Sequence, residues 1–581
     1  MAKYSDEKNV QLLLALLKAH GIRNVVASPG GTNVSVVGSL QNDQWFNVIS
    51  AVDERHAAYL ACGMSLETNA PVMLSCTGAT ASRNYMPALT EAFYRKLPIL
   101  VVTSSQIESR VGNLFAQVTD RSKLPSDIVN FTAHVHPVKN QNDWIVAEQT
   151  INSAILSLER RGGGPSHINL ETEYVQTFET DSLPAVQTIR RIDATFSGAP
   201  DMSPESRILL WIGSHRKFTA PQMAALNAFV ESHNAVVLHD HSTTYEGSRG
   251  IVSAIGAVQT GAKLDNELSP DLIIHLGEVS GDYSSVGYLQ KCAEVWRVSP
   301  DGEIRNTFGK LSYVFEMPEE LFFLRYAKEH EGNVEPTFSH AWQSYVGKMR
   351  DIIPELPFSN TWIAKVTSQH LPAGSTIHFA ILNSLRSWNN FDLPTGVACS
   401  SNVGGFGIDG CTSTLVGASL IDSRRLCFLV TGDLAFFYDL NAMGNRHIGN
   451  NLRILLVNNG SGAEFFRFER VKNQLGEGLG KYIAAEGHFA KKSRRFVRHI
   501  AEDLGFRYYA ATNKDEYLQY IEGFVAESEK PILIECFTDP EDDVAAAKIL
   551  ETLDCCTTIK SSVSRMMPTG LKSAIKAILV K

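Results

Sequence analysis

Residues 429–464 read LVTGDLAFFYDLNAMGNRHIGNNLRILLVNNGSGAE, and this stretch decides the fold class. One apolar run ends at a Gly-Asp turn (432–433), and a second ends at an Asn-Asn-Gly turn (458–460) after a helix-forming segment. Short apolar strands separated by a helix predict neighbouring parallel strands that are buried on both faces. Both polar turns then lie at the carboxyl ends of their strands, where open α/β sheets bind ligands.

The side chains at these two turns predict a divalent-cation site. Asp433 offers a carboxylate oxygen, Asn459 an amide oxygen and Ser461 a backbone carbonyl, and Mg²⁺ accepts such ligands together with phosphate oxygens. The helix after Asp433 would direct free N–H groups at the same place. Each turn alone has an ordinary structural interpretation, as a helix cap or a tight turn. Their combination favours the metal site.

The two turns resemble the fingerprint of thiamine-diphosphate-dependent enzymes, a Gly-Asp-Gly turn followed at the next strand end by a double Asn. The resemblance implies thiamine diphosphate and Mg²⁺ as cofactors, with Asp433, Asn459 and the Ser461 carbonyl holding the metal. Leu434 departs from the family, which usually has glycine there. In this stretch the cofactor contacts that the resemblance implies are Gly432, Asp433, Leu434, Ala435, Asn459 and Ser461.

A second motif, VDERHAA at residues 52–58, lies near the start of the chain. Thiamine chemistry needs a carboxyl group that hydrogen-bonds N1′ of the aminopyrimidine, and Glu54 precedes a helix of small residues that could admit the ring. The motif lies between SPGGTN and SCTGATASRNYMPALTEAFYRKLPILVVTS. That order resembles the pyrimidine-binding domain of the acetolactate synthase and pyruvate decarboxylase superfamily. The resemblance implies a catalytic Glu54; a helix-start acid beside a solvated arginine is the ordinary alternative.

Two further segments match the superfamily. Asn383-Ser384-Leu385 resembles the turn that contacts the diphosphate, so Asn383 and Ser384 are implied as cofactor contacts. The segment 401–410 resembles the one whose large aliphatic residue wedges beneath the thiazolium. Ile408 would be that wedge, with an ordinary core isoleucine as the alternative, and the Phe406 carbonyl would accept a hydrogen bond from the 4′-amino group.

Three more polar residues are candidates for the catalytic pocket. His56 could transfer protons near neutral pH, although a solvated helix histidine is an equal alternative. Gln117 matches a glutamine that faces the thiazolium in relatives. Glu464 lies where some decarboxylases place an acid, with a surface helix acid as the alternative. Surface salt bridges are favoured over substrate binding for the arginines Arg83, Arg386 and Arg467.

The GDL turn followed by YDLNA (438–442) resembles the menaquinone-pathway carboligase that joins 2-oxoglutarate to isochorismate. The arginines with which that enzyme binds substrate carboxylates are absent here. Gly31-Thr32 replaces a Ser-Arg pair, and Trp388 and Val403 stand at two further arginine positions. Loss of these charge-assisted contacts argues against the menaquinone reaction.

The remaining apolar pattern predicts an α/β protein with three consecutive doubly wound parallel-sheet domains and a C-terminal helical tail. With the resemblance, we predict a pyrimidine-binding domain over 1–180, a middle Rossmann-like domain over 200–335, a diphosphate- and Mg²⁺-binding domain over 355–540 and the tail over 541–581. Residues 179–205 are rich in Pro, Ser and Thr, which predicts a linker. The middle segment contains no GxGxxG, so FAD is not predicted there.

Composition excludes several classes of partner. The 581 residues are 44% hydrophobic and 20% charged, with a net charge of −9, so the basic field that nucleic acid or anionic lipid requires is lacking. No stretch approaches the ~20 continuous apolar residues of a membrane span. The nine cysteines form no CxxC pair and are expected as reduced thiols. Without a signal-peptide pattern, a cytoplasmic location is expected.

The resemblance implies an enzyme that decarboxylates a small 2-oxo acid such as pyruvate and transfers the acyl carbanion to a second carbonyl compound, one candidate being a keto-sugar nucleotide. A plain decarboxylase that releases an aldehyde is one alternative, and a non-catalytic cofactor-binding relative is another. The joint presence of Glu54, Asp433 and Asn459 argues against the non-catalytic relative. In this superfamily the active site lies between subunits, so a homodimer or homotetramer is expected.

Overall fold

The computed structural model describes residues 3–121, 124–259, 267–290, 294–329, 334–488 and 493–553. The chain divides into two compact units. The first unit is the chain up to Ser197 together with Gly302–Val314, and the second is Gly198–Asp301 together with the chain from Phe315 onward. Of the predicted C-terminal tail, residues 554–581 lie outside the described part of the chain.

The first sheet has six strands in the order β2-β1-β3-β4-β6-β5, and every neighbouring pair is parallel. Its strands are β1 Asn24–Ala27, β2 Asn47–Ser50, β3 Val72–Cys76, β4 Ile99–Ser105, β5 Phe131–Val135 and β6 Ser166–Glu171. The helices in this part of the chain are α1 Lys8–Ala19, α2 Val34–Gln41, α3 Glu54–Thr68, α4 Thr80–Asn84, α5 Met86–Tyr94 and α6 Gln141–Leu156.

Alternate residues of these strands face opposite sides of the sheet, as the period of two requires. Met73 and Leu100 belong to the core that includes α1 and α6, whereas Leu74 and Val101 belong to the core that includes α3 and α5. Helices therefore cover both faces. That is why the strands have continuous apolar sequences instead of alternating ones.

The second sheet has seven strands in the order β10-β9-β8-β11-β12-β13-β7, and the first five in that order are parallel neighbours. They are β7 Arg190–Asp193, β8 Ile208–Ile212, β9 Ala235–His239, β10 Gly250–Val252, β11 Leu272–Leu276, β12 Glu294–Ser299 and β13 Leu311–Glu316. The accompanying helices are α7 Ala220–Ser232, α8 Ala254–Ala257, α9 Tyr283–Leu289, α10 Glu319–Glu329 and α11 Thr337–Asp351.

Strand β7 lies inside the segment predicted as a linker, so that interpretation is wrong for four of its residues. The strand RRID buries only one apolar side chain, Ile192. The other three residues of the strand are two arginines and an aspartate. The strand was therefore not predicted, because strand prediction depends on apolar and β-branched runs.

The third sheet has six strands in the order β15-β14-β16-β17-β19-β18, again with every neighbouring pair parallel. They are β14 Thr376–Phe379, β15 Ala398–Ser401, β16 Cys427–Gly432, β17 Leu452–Asn458, β18 Arg507–Ala511 and β19 Ile532–Phe537. The helices are α12 Asn360–Ser368, α13 Asn383–Trp388, α14 Cys411–Ser419, α15 Asp433–Tyr438, α16 Glu469–Leu475, α17 Phe496–Asp503, α18 Lys514–Val525 and α19 Pro540–Glu551.

The first and third sheets share one strand order when each is counted from its own first strand. In both, the first strand lies between the second and the third, so the chain switches direction across the sheet at that point. Ligands of open α/β sheets bind at such switch points, beyond the carboxyl ends of the strands. In the third sheet, Asn383 and Asp433 begin the helices that follow the two strands flanking this point, β14 and β16.

The predicted fold class is confirmed, since three largely parallel sheets are each flanked by helices. The exact domain bounds stay a prediction. Within the described residues, no helix combines the length and the apolar character needed to cross a bilayer.

Candidate cofactor-binding site

Asp433 is the one acid among the three predicted metal ligands, and it is buried, with 5% of its surface exposed. It begins α15 directly after β16, and its carboxylate accepts the N–H of Leu434 at 2.8 Å. Burial raises the pKa of Asp433 to about 7, and the charge of a second buried acid, Asp543, adds to the rise. The backbone N–H groups that oppose this rise do not cancel it. A carboxylate in this environment is stabilised by a nearby cation.

Asn459 follows β17 and is oriented by Asp543. Its amide nitrogen donates to Asp543 Oδ2 at 2.9 Å, and its Oδ1 accepts the N–H of Ser461 at 3.2 Å. Asp543 also accepts the N–H of Asn360 at 2.7 Å and the hydroxyl of Thr538 at 3.1 Å. Burial raises the pKa of Asp543 to about 6. The sequence analysis missed Asp543, because it lies in the PEDD start of α19 with no motif to mark it.

The donor set at the ends of β16 and β17 fits a hard divalent cation. Asp433 and Asn459 supply carboxylate and amide oxygens, and the buried Ser461 adds a backbone carbonyl. Two buried carboxylates with raised pKa values lie close together here, and a divalent cation would offset that excess of negative charge.

The space above the Gly-Asp turn is open. A Cβ placed on Gly432 would meet no atom within 4 Å, so a ligand can approach the backbone there. Leu434, where the family usually has glycine, lies in the first turn of α15 and is half-buried. A helical backbone does not require glycine, which explains how leucine is tolerated. Ala435 is buried beneath the turn.

Asn383 and the buried Glu464 lie in one hydrogen-bonded network. Glu464 forms ion pairs with Arg386 and with Arg467, the latter at 3.6 Å. With its amide oriented to satisfy both partners, Asn383 donates to the Glu464 carboxylate and accepts the Glu464 N–H at 3.1 Å. Ser384 is buried in α13.

The surface interpretation of Glu464 is wrong, since only 8% of the residue is exposed. The salt-bridge interpretation of Arg386 and Arg467 is confirmed, although the partner they share is buried. Arg386 was predicted separately from Glu464 because nothing in the linear sequence relates α13 to the turn after β17, whereas Arg467 lies only three residues after Glu464. The third arginine, Arg83, donates to the Asp120 carbonyl at 3.1 Å.

Phe406 has a left-handed backbone with φ of 54°, which is uncommon for a large side chain and typical of functional turns. Its ring stacks on Tyr283, with centroids 5.8 Å apart and planes at 10°. Ile408, two residues on, is half-buried and packs against the core formed by α14 and β16. Its remaining surface is free to contact a ligand, and its role as a wedge stays a prediction.

In the first unit, Glu54 begins α3 immediately after Asp53. Asp53 caps the helix by accepting the N–H of His56 at 3.1 Å. The capping role suggested for a helix-start acid therefore falls to Asp53, and the Glu54 carboxylate is left for other partners. Glu54 is half-buried and accepts a hydrogen bond from Asn84 at 3.4 Å, whereas His56 is exposed.

Gln117 is exposed and has a left-handed backbone with φ of 60°. It lines a cavity of about 300 Å³ at the carboxyl end of the first sheet, together with Gln106, His134, Asn169 and Arg121. The cavity is lined largely by polar side chains. A small polar metabolite would fit such a volume.

Arg121 is the functional candidate that the sequence analysis missed in this unit. Only 6% of its surface is exposed, and Nε and Nη1 of its guanidinium have no hydrogen-bond partner. Nη1 lies so close to Gly78 that a Cβ there would be 2.2 Å away. Burial, with a smaller contribution from the charge of Glu54, raises the pKa of the Cys76 thiol to about 12, and the charge of Arg121 opposes this rise, so both charges lie near the thiol.

Three kinds of similarity relate this chain to known proteins. The family model "Thiamine pyrophosphate enzyme, N-terminal TPP binding domain" matches residues 8–124. The chain is 29% identical over 568 residues to 2-succinyl-5-enolpyruvyl-6-hydroxy-3-cyclohexene-1-carboxylate synthase of Bacteroides fragilis, covering 94% of this chain and 98% of that one. The synthase of the same name from Desulfotalea psychrophila is 28% identical over 547 residues, covering 90% and 96%.

A solved structure, the Rhodococcus jostii RHA1 thiamine diphosphate-dependent 4-hydroxybenzoylformate decarboxylase, aligns with 92% of this chain and 99% of its own. Its TM-score of 0.37 and identity of 17% are too low to support a conclusion. The family model and the relatives that span nearly the whole chain do support one. The chain is therefore similar to thiamine-diphosphate-dependent enzymes over nearly its whole length, which confirms the resemblance seen in its motifs and its assignment as an enzyme of the decarboxylase and carboligase type.

Proposed function

We propose that this enzyme removes CO₂ from a 2-oxo acid and joins the remaining acyl unit to a second carbonyl compound, with thiamine diphosphate and Mg²⁺ bound. When bound, the coenzyme supplies the electron sink for loss of CO₂. Glu54 would hold the aminopyrimidine ring by a hydrogen bond at N1′. Asp433, Asn459 and the Ser461 carbonyl would hold the metal ion, and the buried negative charge around them supports this assignment.

Other residues would orient the coenzyme or move protons. The Phe406 carbonyl would accept a hydrogen bond from the 4′-amino group, and Ile408 would support the thiazolium ring. Asn383 and Ser384 would contact the diphosphate from the start of α13. Gln117 shares its cavity with Arg121 and would position the substrate there. Glu464 is committed to two arginines, so we propose a role in shaping the pocket instead of proton transfer.

The unpaired guanidinium of Arg121 is the observation that favours an acidic substrate. A buried charge without a partner costs several kcal/mol unless an ion of opposite sign binds to it. A carboxylate of the substrate is such an ion, and it would form charge-assisted hydrogen bonds to Nε and Nη1. The cavity beside Arg121 would accommodate a small acid.

The chemistry indicates which carboxylate Arg121 should bind. A carboxylate that leaves as CO₂ loses its charge, so a strong ion pair to it would stabilise the substrate more than the transition state. Arg121 is better suited to a carboxylate that the product retains. We therefore propose a donor with a second carboxylate, such as 2-oxoglutarate, in preference to the simpler pyruvate.

The acceptor is proposed only as a carbonyl compound. Trp388 and Val403, which stand where the menaquinone-pathway enzymes have arginines, are both buried, with 0% and 1% exposed. These positions therefore offer no charge to an acceptor carboxylate. The relatives named above lend no support to a keto-sugar nucleotide as acceptor.

The test is incubation with thiamine diphosphate, Mg²⁺ and single 2-oxo acids, with CO₂ release measured with and without aldehyde and ketone acceptors. We expect release to be faster with an acceptor and a new C–C bond in the product. Aldehyde formation at the same rate without any acceptor would identify a plain decarboxylase. No CO₂ from any 2-oxo acid would contradict the proposal.

Arg121→Met should raise the KM for 2-oxoglutarate about ten-fold or more, because it removes charge-assisted hydrogen bonds worth at least ~1.4 kcal/mol. Its effect on pyruvate should be small. Arg95→Met is the matched control, since Arg95 is an exposed arginine paired with Glu91 in the same unit. An equal rise for both acids would mean that Arg121 binds the carboxylate that leaves.

We also propose that the active form is at least a homodimer, as the resemblance implies. Sedimentation analysis with and without the coenzyme and Mg²⁺ measures this directly. A monomer that retains full activity would contradict it.

A further inference from the structure

We propose that His134, His136 and Glu171 form a binding site for a divalent transition-metal ion of the Zn²⁺ or Co²⁺ type. The three side chains lie together at the carboxyl ends of β5 and β6 in the first unit. They share no residue with the proposed magnesium site.

The strand register brings these side chains together. Strands β5 and β6 are parallel neighbours, with His134 opposite Asn169 and Val135 opposite Leu170. The next pair in this register is His136 and Glu171. Because side chains two apart on a strand face the same side, both histidines project toward the side of the sheet that carries Glu171. A backbone ladder thus positions the ligands, which limits the entropy lost when an ion binds.

The distances fit one ion. His134 Nε2 lies 2.9 Å from Glu171 Oε1, and His136 Nδ1 lies 3.3 Å from Glu171 Oε2. All of the donor atoms lie within 4.8 Å of one another. Two ligand atoms at about 2.1 Å from a tetrahedral ion are about 3.4 Å apart. Small side-chain rotations would therefore allow all three residues to bind the same ion.

The electrostatics of the cluster also favour an ion. Glu171 is 3% exposed, and its Oε1 also accepts the N–H of Glu108 at 2.9 Å, which fixes the carboxylate. The two imidazole rings stack with centroids 4.4 Å apart and planes at 16°. Both rings thus lie beside the same buried carboxylate, whose negative charge a bound cation would offset.

Ligand type sets the preferred metal. Two imidazole nitrogens and one carboxylate suit Zn²⁺, Co²⁺ or Ni²⁺, whereas Mg²⁺ prefers oxygen ligands alone. The cluster borders a cavity of about 470 Å³, and His136 is exposed, so an ion can reach it from solvent. Three protein ligands leave at least one position open for water or a small ligand.

Titration of the protein with Co²⁺ at neutral pH tests the site, followed by visible absorption and calorimetry. We expect one equivalent to bind with the d–d bands of a low-coordinate ion, and excess Mg²⁺ not to displace it. His136→Ala is the main variant because His136 is exposed, and Glu171→Gln conserves shape. Each should weaken Co²⁺ binding at least ten-fold.

Two controls locate the ion. Asp433→Ala removes the principal ligand of the proposed magnesium site and should leave Co²⁺ binding unchanged, and so should His340→Ala, which removes an exposed histidine outside the cluster. Circular dichroism checks that each variant is folded. The proposal is overturned if Co²⁺ binds no tighter than millimolar, or if folded His136→Ala binds it as well as the unchanged protein. The cluster would then be an ion-paired His-Glu group without a metal.

Discussion

Asp433 and Asp543 are buried carboxylates, and burial, together with their mutual proximity, raises the pKa of Asp433 to about 7. Arg121 is a buried guanidinium with two unpartnered nitrogens. Such residues cost stability in the free protein. The proposed ligands would explain them: a metal ion beside the acids and a substrate carboxylate beside the arginine. At the scale of single residues, these buried charged groups are the observations that support each proposed contact.

Glu54→Gln should lower kcat about 100-fold or more, because an amide cannot exchange the proton that a carboxyl group shares with N1′. Calorimetry should show coenzyme and Mg²⁺ binding largely intact, since the metal ligands lie in the second unit. Glu67→Gln, an exposed glutamate of the same helix, is the control and should be as active as the unchanged enzyme. Full activity of Glu54→Gln would remove Glu54 from the mechanism.

Asp433→Ala should weaken coenzyme retention, because it removes the carboxylate that would join Mg²⁺ to the protein. Titration with thiamine diphosphate in the presence of Mg²⁺ should show affinity reduced about ten-fold or more, consistent with loss of one metal ligand. Removal of Mg²⁺ with a chelator should reduce the affinity of the unchanged enzyme toward that of the variant. If the variant binds the coenzyme normally, Asp433 is not a ligand.

Short elements carry the site. The six-residue helices α13 and α15 begin with Asn383 and Asp433, and each follows directly after a strand that flanks the switch point of the third sheet. A side chain at such a position is fixed by the strand, which is buried and paired on both sides. The loop that carries Gln117 is exposed in contrast, so its conformation depends more on the ligand.

The N-terminus of α3 illustrates how an element positions Glu54, the proposed catalytic acid. Asp53→Ala removes the cap that accepts the His56 N–H, and we expect a lower free energy of unfolding. The first turn should fray, so kcat should fall as well because Glu54 lies in that turn. Urea unfolding and steady-state kinetics measure the two effects. Asp53→Asn retains a capping oxygen and should restore most of both; equal behaviour of the two variants would contradict this role.

For the whole molecule, the sequence predicted the sheets where strands are buried on both faces, as in β3, β16 and β17. The strands that it missed include β7, because Arg190 and Arg191 mask its character, and β18, where Arg507 is exposed and the tyrosines are only partly buried. Neither strand order nor the Asp543–Asn459 contact could be predicted, since both depend on residues far apart in the chain. Arg121 was missed for the same reason, because the burial of its guanidinium and the lack of hydrogen-bond partners at Nε and Nη1 are visible only in the three-dimensional structure.

The resemblance also implies that Glu54 of one subunit and Asp433 of another serve the same active site. A mixture of Glu54→Gln and Asp433→Ala proteins, refolded or co-expressed together, should then contain hybrid dimers with one intact site. Random assortment predicts roughly a quarter of the unchanged activity. At a coenzyme concentration that saturates only intact sites, each variant alone should have far less activity than the mixture. A mixture that stays inactive, despite hybrid dimers shown by differential tagging, would place each site within one subunit.

The position of Asp543 links α19 to the proposed metal site. Asp543 lies in α19, the last described helix, and it orients Asn459. Proteolysis that removes α19 should therefore weaken coenzyme binding, because Asn459 would lose the carboxylate that orients it. Because a ligand protects the folded form that binds it, saturating coenzyme should slow this proteolysis in return, so an intact α19 would report whether the enzyme is loaded.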